Sequence, residues 1–344
     1  MIRILFLFHL CLLLLTTSGC QRRSAVETVH LNGATMGTTW SVSLHSAPEG
    51  TDPVLLKQQL QVQLDRINRL MSTYDPDSEI SRFNNRFDSD WFPVSSETAY
   101  VVDLSRKISI LTGGAFDISV GPLVELWGFG ASAQSEQLPS DRQVSERLAM
   151  VGYRQLQLRR DPAALKKSHP QLQIDLSAVA KGYAVDQLAE LLEGQGINNY
   201  LVEIGGELRL AGRRSDGTPW RIAIEKPLED VREVETTLLL TETGLATSGN
   251  YRNYYIENGQ RYSHTIDPLS GRPIRHQLAS VTILDPSCAR ADALATALMV
   301  LGEEKGRILV EQHQIAAYFL IHAEQGTDVY ISPAFHAFQA QAEE

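Results

Sequence analysis

Apolar and polar residues alternate or recur in patterns that predict both strands and helices along this chain. From residue 38 to 44, Trp40, Val42 and Leu44 occupy every second position, which is typical of a strand with one buried face. From residue 53 to 71, apolar residues recur at spacings of three and four, which predicts one apolar face of a helix. The residues on that face are Leu56, Leu60, Leu64, Ile67 and Met71.

Turn and capping residues divide the rest of the chain into further elements. Ser95 or Ser96 begins a helix that ends before Gly113-Gly114, and Asp141 is expected to cap a short helix. A Gly205-Gly206 turn separates two predicted strands. The remaining predicted helices cover 177–192 and 289–301, and the remaining strands lie near 156 and at 172–176, 200–204, 207–211, 221–224, 236–240 and 278–284. The patterns therefore predict a mixture of helices and strands, without an internal repeat.

The first twenty residues differ from the rest of the chain and indicate export. Arg3 precedes an apolar stretch at 4–15, which is shorter than the roughly 20 apolar residues of a membrane-spanning helix. Small residues then lead into Cys20, a pattern that resembles the cleavage site of bacterial lipoproteins, where the cysteine is acylated. We expect a signal peptide at 1–19, an acylated, palmitate-bearing Cys20 with a polar tether to residue 30, and a domain at 31–344. The alternative is a plain secreted protein with an incidental cysteine.

The composition excludes several classes of protein. The 344 residues carry 31 Lys and Arg against 41 Asp and Glu, a net charge of −10, which argues against nucleic acid as a partner. Three cysteines are too few for a disulfide scaffold, and processing at Cys20 would leave Cys288 as the free thiol. The sequence holds no P-loop, no paired cysteines or histidines with metal spacing, and no nucleophile elbow.

Two oxygen-bearing residues on the predicted helix at 289–301 are candidates for a metal site. Asp292 and Thr296 are four residues apart and share one helix face, while Leu294 and Leu298 can face the core. Mg²⁺ prefers oxygen ligands of this kind. The alternative is that Asp292 only complements the helix dipole near the first turn.

Polar residues at two other element ends are candidates for contacts to a substrate. Asp175 and Ser177 open a predicted helix whose free N–H groups could receive a phosphate, although either residue could simply cap that helix. His264 could exchange a proton near neutral pH, although a lone histidine is more often structural.

Two aromatic residues are candidates for stacking on a ring. Phe116 lies beside Asp117 in a turn that glycines permit, and Tyr74 follows the helix at 53–71. An aromatic in either position could instead pack against the protein.

The combined order of these segments resembles the FAD:protein FMN transferases, also called ApbE-type flavin transferases. The matching motifs cover essentially the whole chain from about residue 31, and their order is far more specific than any one of them. They are Thr35-Met-Gly-Thr38, Met71-Ser-Thr-Tyr-Asp75 with Ser78-Glu-Ile-Ser-Arg82, Gly114-Ala-Phe-Asp117, Asp175-Leu-Ser-Ala-Val-Ala-Lys-Gly-Tyr183, Gly205-Gly206, Ala246-Thr-Ser-Gly249, Ser263-His264 with Ile266-Asp-Pro268, and Ala291-Asp292 with Thr296-Ala-Leu298.

The resemblance implies an α+β catalytic unit of the T-fold type, with mixed helices and an antiparallel sheet, that binds FAD and Mg²⁺. It implies transfer of the FMN half of FAD to a Thr or Ser hydroxyl of a target protein, with release of AMP. By position, Asp292, Thr296 and the backbone carbonyl of Ala178 would hold the magnesium. The residues expected to contact the flavin and adenylate are Met36, Tyr74, Ala115, Phe116, Asp117, Asp175, Lys181 and Ile266.

Three positions depart from the family pattern. Lys181 stands where some members carry Glu, and a cation near a diphosphate is physically reasonable there. Glu203 and Asn250 replace an Asn and an acidic residue that are common in the family, which changes local hydrogen bonds but not the expected class.

The resemblance also implies roles for individual side chains. The target hydroxyl must lose its proton as the bond to phosphorus forms, so we expect His264 as general base, with Asp292 as the competing candidate. Stacking on Tyr74 or Phe116 would orient the flavin. The alternative functions are a related hydrolase that splits FAD into FMN and AMP, and a non-catalytic flavin carrier.

The family suggests where the protein acts. Its acceptors are expected in membrane complexes of the Na⁺-translocating quinone reductase or Rnf type, on the periplasmic side that the lipid anchor would face. We expect the inner membrane, and the outer membrane stays open because Gln21 stands where an inner-membrane lipoprotein commonly has Asp.

Overall fold

The computed structural model describes residues 28–130, 138–228, 231–251, 253–257, 259–324 and 326–343. The predicted signal peptide, Cys20 and most of the predicted tether lie outside the described residues. Across the described ranges, no helix is both long enough and apolar enough to cross a membrane.

Strands are distributed along the whole described chain. In chain order they are β1 (Val29–Thr35), β2 (Thr38–Leu44), β3 (Phe92–Pro93), β4 (Leu156–Arg160), β5 (Ala163–Lys167), β6 (Tyr200–Ile204), β7 (Glu207–Ala211), β8 (Trp220–Glu225), β9 (Val234–Leu240), β10 (Thr243–Gly249), β11 (Tyr254–Glu257), β12 (Gln260–Ser263), β13 (Ile266–Asp267), β14 (Arg272–Pro273), β15 (Leu278–Asp285), β16 (Ala316–His322) and β17 (Thr327–Ile331). The central sheet has eight strands in the order β1-β2-β6-β7-β10-β15-β16-β17, and all its pairs are antiparallel.

Helices alternate with these strands. They are α1 (Pro53–Met71), α2 (Glu79–Asn84), α3 (Ser96–Leu111), α4 (Gly121–Leu126), α5 (Asp141–Leu148), α6 (Ser177–Gly194), α7 (Cys288–Gln312) and α8 (Pro333–Glu343). The mixture of helices with an antiparallel sheet in a single domain confirms the predicted α+β class.

Both faces of the central sheet are covered. Helices α1, α6 and α7 bury their apolar faces, including Leu60, Leu188 and Leu298, against one face of the sheet. The β8–β9 hairpin and α8 cover the other face, where Leu238 and Phe335 pack. Strand β15 is therefore buried along its whole length, as expected for a strand with both faces covered.

The helix and strand bounds confirm most of the predicted elements. The strands at 38–44, 200–204 and 207–211 are found as predicted, and the helix at 53–71 buries the predicted face. Ser95 caps α3 by accepting from the N–H of Thr98, and Gly113 follows the helix with a φ of 62°.

The predicted strand at 172–176 is wrong. The carbonyl of Leu172 accepts a hydrogen bond from Nζ of Lys167 at 3.1 Å, and the Asn84 side chain bonds both backbone groups of Ile174 at 2.8 Å each. Because these side chains satisfy part of the backbone, the segment needs no strand partner.

One helix start differs from the predictions. Asp141 does not cap α5, because Ser140 accepts the N–H of Gln143 and Asp141 is the first helical residue. The predicted end of the last helix at residue 301 is confirmed, because the next residue, Gly302, has a non-helical backbone with a φ of 77°. A second helical segment, which was not predicted, follows this kink and completes α7 to Gln312.

Candidate active site

One cavity of about 850 Å³ gathers nearly all of the predicted site residues. Its wall is formed by the segment after α1, the turn before α4, the first turns of α6 and α7, the β6–β7 turn and the segment after β12. The predicted residues that line it are Tyr74, Ala115, Phe116, Asp117, Asp175, Ala178, Lys181, His264, Ile266, Asp292 and Thr296. Residues far apart in the sequence therefore meet at one place, and the size is within the usual range for a small-molecule site.

Met36 is the predicted contact that is not among the lining residues. It has a φ of 47° in the two-residue turn between β1 and β2, where Gly37 has a φ of 71°. Its side chain is partly buried against the main core. Strand β2, which follows this turn, lies beside the cavity, because the N–H of Gly205, a lining residue, donates to the carbonyl of Thr39 at 3.2 Å.

Asp292 and Thr296 lie on one face of α7, as predicted, and both face the cavity. The Asp292 side chain is buried, and its Oδ2 accepts from the N–H of Gly182 at 3.0 Å. Its Oδ1 has no hydrogen-bond partner among the described residues. Burial raises the pKa of Asp292, and the ammonium of Lys181 opposes that shift. The Thr296 hydroxyl lies 3.2 Å from Oγ of Ser248.

The position of α7 is set by an acidic residue on α6. Asp186 is buried and accepts the N–H groups of Cys288 and Ala289 at 2.9 and 3.0 Å, and the Ser287 hydroxyl at 2.8 Å. These bonds satisfy the free donors of the α7 N-terminus. The turn of α7 that carries Asp292 is thereby held against α6.

The beginning of α6 forms another part of the wall. The residue that caps α6 is Leu176, without a side-chain cap bond, so neither Asp175 nor Ser177 is the N-cap. Instead, Oδ1 of Asp175 accepts the N–H and the hydroxyl of Ser177 at 2.8 and 2.5 Å. Ala178 follows in the first turn and lines the cavity.

Lys181 forms an ion pair with a residue of another element, which its local sequence does not indicate. Its Nζ lies 2.5 Å from Oε2 of Glu207, the first residue of β7. Burial disfavours the ammonium of Lys181, but the carboxylates of Asp292 and Glu207 outweigh it and raise the lysine pKa. Burial, and next the charge of Asp292, raise the pKa of Glu207 to about 7.

The two candidate aromatic residues differ in exposure. Tyr74 is 71% exposed, so the alternative that this aromatic packs against the protein is wrong. Phe116 is 2% exposed, which leaves almost none of its ring accessible. Of the two, Tyr74 can offer a ring face to a ligand.

Both carboxylate oxygens of Asp117 accept hydrogen bonds from other residues of the chain. Its Oδ1 accepts the N–H and hydroxyl of Ser119 at 2.8 and 2.6 Å, and its Oδ2 accepts the N–H of Tyr153 at 2.7 Å. Burial raises the pKa of Asp117, while these hydrogen bonds oppose the shift. Its carboxylate holds the turn that presents Ala115 to the cavity.

His264 is oriented by a residue that the sequence gave no reason to select. Its Nδ1 lies 2.9 Å from the carbonyl oxygen of Asn253, which can only accept, so Nδ1 carries the proton in this contact. The edge of the ring packs on Phe129, with 6.3 Å between the ring centres. Burial lowers the pKa of His264, and the backbone bond to Asn253 only partly offsets it.

A magnesium site would depend on few carboxylates here. In the part of the chain that the structure describes, no three His, Cys, Asp or Glu side chains form a metal-binding group. The expected set is instead one carboxylate, one hydroxyl and one carbonyl. Mg²⁺ commonly keeps several waters and takes one or two carboxylates, so these three oxygens suit it, and Asp292 lines the cavity.

The chain is similar to known proteins along almost its full length. The model of the ApbE family matches residues 36–319. A Vibrio cholerae protein named FAD:protein FMN transferase is 46% identical over 325 residues, which cover 94% of this chain and 96% of that protein. An Escherichia coli K12 protein of the same name is 42% identical over 328 residues, which cover 93% of each. The solved structure of the flavin transferase ApbE from Vibrio cholerae superposes with a TM-score of 0.85 at 45% identity, covering 91% of this chain and 99% of that one.

Proposed function

Because the chain belongs to the ApbE family, whose curated relatives are FAD:protein FMN transferases, we propose a specific reaction for the cavity described above. FAD binds in the cavity, and its FMN half is transferred to a Thr or Ser hydroxyl of an acceptor protein. The new bond joins the FMN phosphorus to the acceptor oxygen, the phosphoanhydride bond breaks, and AMP leaves with the bridging oxygen. The acceptor proton passes to a base of the enzyme.

The observation that carries this proposal is the convergence of predicted residues on one cavity. Tyr74 and Asp292 come from motifs more than two hundred residues apart, yet both line it. The exposed ring of Tyr74 suits the flavin of FAD, and the oxygen-bearing side chains of Asp292 and Thr296 suit a metal ion beside its diphosphate. Holding both parts fixes the phosphorus for in-line attack, and orientation accounts for much of the rate in such reactions.

The part of the cavity wall around Asp292 suits a magnesium ion. Asp292, Thr296 and the carbonyl of Ala178 would hold it, and Gly182 fixes the carboxylate by donating to Oδ2. When bound, the ion would neutralise charge on the two phosphates of FAD. Asp292 is buried beside the ammonium of Lys181, which it shares with Glu207, so a further cation would also relieve the cost of its burial.

His264 is the side chain best arranged to accept the acceptor's proton. Its Nδ1–H is held by the carbonyl of Asn253, so the other ring nitrogen, Nε2, carries a free lone pair. Because burial lowers the pKa of His264, the ring is neutral at physiological pH and can act as a base. Asp292 is less suited to this role if its carboxylate holds a cation.

The proposal also includes a membrane anchor at Cys20, which lies outside the described residues, and a class of acceptor protein. Acylation at Cys20 would tether the domain to the periplasmic face of a membrane, where flavinylated subunits of quinone reductase or Rnf type could reach the cavity. A chase with radiolabelled palmitate, comparing the wild-type chain with Cys20→Ala, tests the anchor. Label on the Cys20→Ala chain would contradict it.

One incubation separates the proposed transferase from the two alternatives. The purified full chain is mixed with FAD, Mg²⁺ and an acceptor domain with a single target threonine, and the Thr→Ala acceptor serves as the control. We expect flavin fluorescence on the threonine acceptor in a denaturing gel, together with an equal amount of AMP. AMP and free FMN without a labelled acceptor would indicate the hydrolase, and bound FAD that stays intact would indicate a carrier. Either of those results would contradict the proposal.

A further inference from the structure

Glu207 is a buried acidic residue on the cavity wall that belongs to none of the motifs described above. It is 4% exposed, and it follows directly after the Gly205-Gly206 turn that joins β6 to β7. Its carboxylate meets the ammonium of Lys181 at 2.5 Å. A carboxylate is rarely buried to this degree without such a partner, because the loss of hydration is costly.

Three charged side chains from three different elements meet at this wall. Lys181 is on α6, Asp292 on α7 and Glu207 on β7, and all three line the cavity. The two carboxylates raise the pKa of the lysine and share its single positive charge. The cluster carries a net charge of −1 when all three groups are ionised, although its expected ligand contains a dianionic diphosphate.

The backbone of Lys181 is fixed, but its side chain has four flexible bonds. The next residue, Gly182, donates its N–H to Asp292, and this bond anchors the helix turn. The ammonium is a point charge on a flexible stem, and restricting such a side chain costs rotamer entropy. The ion pair with Glu207 therefore selects one position of the ammonium before any ligand binds.

We propose that Glu207 is a positioning residue for Lys181 that competes with the diphosphate of FAD for its ammonium. This inference rests on the proposed function of the cavity. A lysine that is already paired attracts the diphosphate less strongly, so Glu207 weakens the binding of FAD. By fixing the ammonium of Lys181 in one position, Glu207 preorganises this positive charge for the reacting phosphates and so speeds the transfer.

This role predicts an unusual change of kinetic constants in Glu207→Gln. The amide keeps the shape of the side chain and removes its charge, so Lys181 is free to follow the diphosphate. An attraction that is equally strong in the ground state and in the transition state lowers KM without raising kcat. We therefore expect a lower Kd and a lower KM for FAD together with a lower kcat, each by about three- to tenfold.

Glu203→Gln is the matched control for this variant. Glu203 is on the same hairpin, in β6, and accepts the N–H of Gly206 at 2.8 Å, a bond that a glutamine oxygen can also accept. It is not among the residues that line the cavity. The same change of charge at this position should leave the affinity for FAD unchanged.

A second background tests whether the effect passes through the lysine. Lys181→Met removes the ammonium and should weaken the binding of FAD. In this background, Glu207→Gln should no longer lower the Kd through the lysine. Glu207→Asp is the variant to use if Glu207→Gln does not fold. It keeps the charge but draws it back from Lys181 by one methylene, and we expect a smaller shift in the same direction.

The decisive measurement is the affinity for FAD, from quenching of flavin fluorescence without acceptor and with divalent metal chelated. Tighter binding by Glu207→Gln in the wild-type background, absent in Lys181→Met, supports the inference. Equal or weaker binding by Glu207→Gln, or the same tightening in both backgrounds, overturns it. If the wild-type chain neither binds FAD nor labels an acceptor, the proposed function fails. If the wild-type chain binds FAD and labels an acceptor, but Glu207→Gln leaves the Kd for FAD unchanged, only this inference fails.

Discussion

Gly182 of α6 packs directly against the first residues of α7, and replacing it with alanine is expected to disturb both stability and activity. A Cβ at this position would lie 2.4 Å from the carbonyl oxygen of Cys288 and 2.8 Å from Cα of Ala289. These are backbone atoms, so no side chain can rotate away. Ordinary contact begins near 3.4 Å, so the helices must separate by about 1 Å at this point.

Three effects determine how much free energy of unfolding Gly182→Ala loses. Overpacking of this kind costs about 1–3 kcal/mol. The bond from Gly182 N–H to Asp292, 3.0 Å long, would be stretched beyond hydrogen-bonding distance, and losing a bond to a charged group costs about 1.5–3 kcal/mol. Alanine returns about 1 kcal/mol because it favours a helix more than glycine does. The net loss in the free energy of unfolding is about 3 kcal/mol, or a midpoint lower by roughly 6 °C.

Thermal unfolding of the purified chain, followed by circular dichroism, measures this loss, and Gly194→Ala is its matched control. Gly194 is in the same helix, but a Cβ there meets no atom within 4 Å, so this variant should be as stable as the wild type or slightly more stable. Because a shift of about 1 Å at Asp292 misplaces a reacting group, FMN transfer by Gly182→Ala should fall by about a hundredfold. If Gly182→Ala matched the wild type in both stability and activity, the close contact between α6 and α7 would not constrain the site.

Two further predictions concern a histidine and a buried lysine. The rate of FMN transfer should be constant near neutral pH and fall in acid with a midpoint below the ordinary histidine pKa, because burial lowers the pKa of His264 and protonation removes the base. His264→Gln should be slower by about a hundredfold and lose this acid limb, and an unchanged pH profile in that variant would exclude His264 as the base. Lys167 is buried and donates to the carbonyls of Phe83, Asn84 and Leu172 at 3.3, 3.2 and 3.1 Å, so Lys167→Met should lose about 3 kcal/mol of unfolding free energy in urea. Lys166→Met, on the same strand with a partly exposed side chain, is the control, and equal midpoints for the two variants would contradict this role.

Local patterns were sufficient for elements whose partners are close in the sequence. Strands β6 and β7 form a hairpin around Gly205-Gly206, and both were predicted with their observed bounds. The segment at 172–176 shows the same alternation but is not a strand, because Lys167 and Asn84 bind its backbone from other elements. The helix end at 301 was predicted, and Gly302 interrupts α7 there, but the second helical segment that runs on to Gln312 was not predicted.

Nearly all of the predicted site residues line the cavity, and they could be predicted because the sequence motifs that carry them follow each other in a specific order. Asp292 and Thr296 could be assigned to one helix face from their spacing alone. The contacts that hold the site together could not be predicted in this way. Glu207 reaches Lys181, and Asn253 reaches His264, only because separate elements meet in the folded chain.

The most direct test of the proposed function concerns Asp292, which we propose as the residue that allows FMN to leave FAD in this cavity. The measurement is the intact mass of an acceptor domain after incubation with FAD, Mg²⁺ and either the wild-type chain or Asp292→Asn, a variant that keeps the shape of the side chain. We predict that the acceptor gains the mass of one FMN minus one water with the wild-type chain and gains none with Asp292→Asn, while both chains unfold at similar temperatures. Full labelling of the acceptor by Asp292→Asn would contradict the account.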